Sequence, residues 1–140
     1  MRNVIALVTL ALFVATVGFA QEAKTVTLKG YVVDQMCAKN IAKKENMMEK
    51  AAGHSKQCTL EDACAASGFG IFSEGKYYKF DEKGSAKAQS MIENSKREKE
   101  LSFEATGKIT GETFVVATLK EASAGKSEGG KKQSTEERKH

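Results

Sequence analysis

A chain of 140 residues with 22 Lys and Arg against 18 Asp and Glu carries a formal net charge of +4 and contains neither proline nor tryptophan. That length supplies one domain with one modest core, not two. The basic residues mostly alternate with acidic ones instead of gathering on one stripe, which describes a solvated surface and speaks against a nucleic-acid partner.

The chain opens with Met1-Arg2-Asn3, runs apolar from Val4 to Val17, and reaches Gly18-Phe19-Ala20 ahead of its first acid, Glu22. A basic start, a short apolar run and small residues at −3 and −1 are the layout of a secretory signal peptide, so residues 1–20 are expected to be cleaved after Ala20. The run is shorter than the ~20 apolar residues that span a bilayer and lacks a basic stop signal. No cysteine follows Ala20 to carry a lipid. The mature chain is expected to be periplasmic or secreted, without a stable membrane anchor; losing Arg2 leaves it 21 basic and 18 acidic residues.

Thr25 to Asp34 alternates, with Val26, Leu28, Gly30 and Val32 on one face and Thr25, Thr27, Lys29 and Tyr31 on the other, which predicts a strand. Gly30 in its middle predicts a sharp bend or bulge and therefore a coiled strand. From Lys39 to Ala52 the apolar spacing turns helical, with Gly53 placed as a C-cap. Thr59-Leu-Glu-Asp62 has the form of a capping box and predicts a short helix carrying Ala63 and Cys64 and stopping at Gly68.

Phe69 to Phe72 and Tyr77 to Phe80, joined by Ser73-Glu-Gly-Lys76, read as a β-hairpin. Ser85 leads a helix with Ala88, Met91, Ile92 and Ser95 on one stripe. Leu101 to Thr106 and Phe114 to Leu119 alternate on either side of Thr110-Gly-Glu-Thr113, where Gly111 suits a type II′ turn. Residues 122–140 are too polar to repay the entropy of ordering and read as a disordered tail, which leaves 21–121 as the domain.

With the helical insertion of residues 35–68 set aside, the order is β-β-β-α-β-β. That is the order of the oligonucleotide/oligosaccharide-binding (OB) fold, so the expectation is a mainly β domain with helices, built on a five-stranded OB-like barrel. An α+β sandwich is the competing architecture. In such a barrel Phe72 and Tyr77 are candidates to face a ligand, with Asp34 nearby; a saccharide or other envelope ligand suits the compartment better than nucleic acid.

Gly30-Tyr-Val-Val-Asp34-Gln-Met-Cys37, His54-Ser-Lys-Gln-Cys58, Cys58-Thr-Leu-Glu-Asp-Ala-Cys64, Ser67-Gly-Phe-Gly70 and Tyr78-Lys-Phe80-Asp-Glu-Lys-Gly84 resemble a family of small secreted bacterial proteins of unknown function. The resemblance runs from about Val26 to Leu119. It implies that Asp34, His54 and the three cysteines belong to one pattern, and it assigns them no role.

Cys37, Cys58, Cys64 and His54 form the one grouping with metal-ligand or redox character, and three readings compete. In an oxidising compartment two of the cysteines are expected to pair, with a bridge contributing roughly 2–4 kcal/mol to so small a domain and one thiol left over. Alternatively, Cys37, His54, Cys58 and Cys64 together offer a tetrahedral zinc set, or a copper site helped by Met36, Met47 and Met48, although Cys58-x5-Cys64 is wider than the usual knuckle. The third reading makes one cysteine an activated thiol of a redox protein or enzyme. Phosphate loops, haem-attachment sites and nucleophile elbows are missing, and Asp34 with Glu61 or Asp62 makes an acid/base pair only if the fold brings them together, capping being the default for Asp62, so a non-enzymatic binding or structural domain is the expectation.

Overall fold

The computed structural model describes residues 22–123. The expected signal peptide and nearly all of the polar tail lie outside them. Five strands and five helices follow in the order β1 (Thr25–Asp34), α1 (Gln35–Ile41), α2 (Met47–Gly53), α3 (Lys56–Thr59), α4 (Asp62–Ala66), β2 (Phe69–Ser73), β3 (Lys76–Phe80), α5 (Glu82–Asn94), β4 (Ser102–Thr110) and β5 (Thr113–Glu121). The result is a mainly β domain with helices, on one mixed five-stranded sheet. Each strand pairs with two others in the order β1-β2-β3-β5-β4, which returns to β1; β3 and β5 run parallel and the other pairs antiparallel.

β1 serves both ends of that order by changing partner along its length. Its first part, Thr25 to Tyr31, pairs with β4, and its last part, Tyr31 to Asp34, pairs with β2. The handover falls beside Gly30, where a side chain would run into the backbone carbonyl of Phe72, so only glycine fits this close approach. Gly30→Ala is expected to lower stability by about 3 kcal/mol, the upper end of overpacking costs. Urea denaturation measures it, and a neutral result would mean that the strand does not need this close approach.

Strand periodicity then divides the buried residues between two cores. Val32 and Ile71 point into the larger one with Phe69, Phe80, Phe103, Phe114 and Leu119, closed on one side by Ala88 and Ile92 of α5. Val33 and Phe72, one residue along, point to the opposite face and pack with Ala38 of α1 and Ala51 of α2. β2 is buried along its whole length for this reason. The helical insertion leaves and returns at paired residues, Asp34 opposite Phe69, and so lies over the outer face of β1 and β2.

The turns match their residues. Glu74 and Gly75 both have positive φ, as a two-residue type I′ hairpin requires, while the β4–β5 turn has positive φ at Gly111 and not at Glu112, the type II′ pattern. Asp81 caps α5, its Oδ1 accepting from the Gly84 amide at 3.3 Å and from the Val116 amide of β5 at 3.0 Å.

The insertion departs from the sequence reading. In place of one helix from Lys39 to Ala52 there are two, because Asp34 starts α1 several residues earlier and Lys43 to Asn46 carry no apolar side chain to bury. The capping box is not formed either. Ser55 caps α3 instead, accepting from the Cys58 amide at 3.2 Å, and Thr59 ends that helix with its Oγ1 buried and without a hydrogen-bond partner. Lys56 ties this region to the far side of the domain, donating from Nζ to the carbonyls of Glu93 and Ser95.

Candidate functional site

The last residue of β1 is the centre of the site. Asp34 is fully buried, and a carboxylate withdrawn from water has to be compensated by charge and hydrogen bonds. Two partners do so. Oδ1 accepts from the Cys37 amide at 2.8 Å, which makes Asp34 the N-cap of α1, and Oδ2 lies 3.1 Å from His54 Nε2 at the end of α2. Burial is the largest single influence and pushes the carboxyl up. The hydrogen bonds from His54 and from Cys37, with the attraction of the imidazole, outweigh it and hold Asp34 below its ordinary value.

Two thiols meet in front of this carboxylate. Cys37 stands in the first turn of α1 and Cys64 within α4, and their sulfurs are 3.9 Å apart. The two helices are pinned side by side: the Gln35 amide donates to the Gly68 carbonyl at 2.8 Å, and the Met36 amide to Ser67 Oγ at 3.0 Å. Ser67 in turn donates to the Cys64 carbonyl. A carboxylate oxygen of Asp34 and the two sulfurs all fall within 4.8 Å of one another. Desolvation first, and then the Asp34 charge, push the Cys37 thiol up to about 12 and raise that of Cys64 as well. Neither is a ready nucleophile, because both the burial and the neighbouring negative charge favour the protonated thiol.

The expected four-ligand set is therefore rearranged. Asp34 joins Cys37 and Cys64, His54 stands behind Asp34, and Cys58 is exposed on α3 outside the group. Helix-start geometry explains the first change, and the separate place of α3 the second. An aspartate in the cap position brings its carboxylate to the residue three further on, so Asp34-x-x-Cys37 was the signal for this pairing. Ser55 fixes Cys58 at the start of another helix, pointing away. Glu61 and Asp62 are exposed and do not join Asp34.

Phe72 is not available to a ligand, and Tyr77 is half-buried against it. Phe72 is completely buried, its ring centroid 4.7 Å from that of Tyr77, and the Tyr77 hydroxyl donates to the Val33 carbonyl at 2.9 Å. Burial, followed by the Asp34 charge, raises the Tyr77 hydroxyl above its ordinary value. Both rings lie on the face of the sheet that the insertion roofs. A pocket of about 400 Å³ opens instead between α1 and α2, with Asn40, Lys44, Lys50 and His54 in its wall.

No family model, no curated protein and no solved structure matches this chain.

Proposed function

We propose that this chain is an exported OB-like domain whose helical insertion holds a zinc ion on Cys37, Cys64 and Asp34. The carrying observation is the 3.9 Å separation of the two sulfurs beside a buried carboxylate. Two thiolates ~2.3 Å from a tetrahedral zinc stand roughly 3.8 Å apart, so the pair already has the length of a coordination edge. Two sulfurs and a carboxylate oxygen favour zinc over copper(I), which selects thiolate and thioether donors, and Met36 beside Cys37 is 46% exposed and outside the group.

His54 acts as a positioning residue in this site. Its bond to Oδ2 orients the Asp34 carboxylate, as partners behind metal ligands commonly do. Three protein donors leave one tetrahedral position for water or a small donor, which is where a metal-dependent binding module would take its ligand. The strand order β1-β2-β3-β5-β4, with α5 between β3 and β4, supports the OB-like architecture. The signal-like start supports export.

The test is a zinc titration of the reduced full chain under anaerobic conditions against a competing chelator. One zinc per chain is expected, with affinity unchanged in Cys58→Ser and lowered at least about 100-fold, or ~2.7 kcal/mol, in Cys64→Ser. Failure of the reduced wild-type chain to take up zinc would overturn the reading, as would an equal loss in Cys58→Ser.

A further inference from the structure

We infer that Cys37 and Cys64 also form a redox gate on this site: their oxidation to a disulfide expels the zinc, and reduction restores the site. The inference rests on the zinc reading and adds its regulation. Its basis is that the same two sulfurs are placed for either bond. At 3.9 Å they are in contact, and closing to the ~2.05 Å of a disulfide asks for a small approach between two short helices, of seven and five residues. A sulfur bonded to its neighbour is no longer a thiolate, so the disulfide and the zinc exclude each other. Asp34 would remain with its His54 and Cys37-amide partners, but one carboxylate does not keep zinc in competition with water.

The geometry also determines which bond forms and in what order. Cys58 is exposed on α3 and outside the cluster, so the bridge is Cys37–Cys64. Cys37 is only partly buried whereas Cys64 is buried, so an incoming oxidant meets Cys37 first. With a small disulfide RSSR as oxidant, the Cys37 thiolate attacks one sulfur, forms a mixed disulfide and releases RS⁻. The Cys64 thiolate then attacks the Cys37 sulfur and displaces the second RS⁻. Two electrons pass from the protein sulfurs to RSSR, and zinc leaves as Zn²⁺ because both of its sulfur donors are consumed. The leftover third cysteine of an exported protein is accounted for as a bystander to this couple.

The experiment treats the zinc-loaded full chain carrying Cys58→Ser with oxidised glutathione. Released zinc is followed with a chromogenic chelator and the sulfurs by intact mass and peptide mapping. The expected result is one zinc released per Cys37–Cys64 bridge formed, with zinc rebinding after dithiothreitol. Zinc that stays bound after the bridge has formed would sink the gate, and so would a chain that keeps both thiols and its zinc at an excess of oxidant that oxidises the zinc-free chain. Failure to load zinc at the outset would instead sink the zinc reading itself, so the two ideas fail separately. In Cys64→Ser the reaction is expected to stop at the glutathione mixed disulfide on Cys37, and absence of that adduct would overturn the order of attack.

Discussion

Replacing Phe72 by alanine is expected to destabilise the domain by about 3–5 kcal/mol, the range for emptying a buried aromatic site. Phe72 is the largest fully buried side chain of the smaller core, where it joins β2 to Val33 of β1, Ala38 of α1 and Ala51 of α2. The fully buried side chains beside it are Val33, Ala38 and Ala51, and the alanines cannot extend into the space left behind; Met47 and Met48, packed against this core, can fill part of it, which places the loss towards the lower end of that range. Tyr77 loses its ring partner at the same time. Because this core seats α1 beneath Cys37, the variant should also lose zinc affinity without losing a ligand. Urea denaturation and the zinc titration check both effects. A change in ligand binding with stability unaltered would revive the view of Phe72 as a ligand-facing ring.

That contrast shows what was legible in the sequence. The five strands, the two turns and the helix between β3 and β4 could be read because each rests on local chemistry: period-two alternation, Glu74-Gly75 and Gly111 at positive φ, and a stripe through Ala88 and Ile92. Gly30 stood out because a missing side chain in an alternating strand has few uses. The insertion was harder. Whether the outer face of β2 meets water or helices depends on how the insertion folds back, and nothing in Phe69 to Ser73 encodes that.

The site was legible only in part, since the expected set of Cys37, His54, Cys58 and Cys64 shares two residues with the cluster of Asp34, Cys37 and Cys64. Cys37, Cys64, His54 and Asp34 could all be picked out, yet the spacing did not separate Cys58 from the other two cysteines. Each cysteine stands third in its helix, after Asp34, Ser55 and Glu61, so what separates Cys58 is where its helix lies: the bonds Gln35–Gly68 and Met36–Ser67 hold the start of α1 against the end of α4, and α3 has no part in them.

Asp34→Asn is the substitution that separates a metal ligand from a structural cap. Asparagine is as good an N-cap as aspartate and nearly the same size, so the bond from the Cys37 amide should survive. What is lost is the charge, and with it the charge-assisted bond to His54, worth about 1.5–3 kcal/mol where a hydrogen bond involves an ionised group. Stability is therefore expected to fall by about that amount while the fold persists. Zinc affinity should fall further than in His54→Ala, because in the proposed site Asp34 is a donor and His54 only its orienting partner; losses of about 10–100-fold are usual for an orienting partner. The titration should rank the variants Cys64→Ser below Asp34→Asn, Asp34→Asn below His54→Ala, and Cys58→Ser level with wild type. If Asp34→Asn binds zinc as tightly as His54→Ala does, the carboxylate is only a cap, and a site of two thiolates with outside donors replaces the three-donor site.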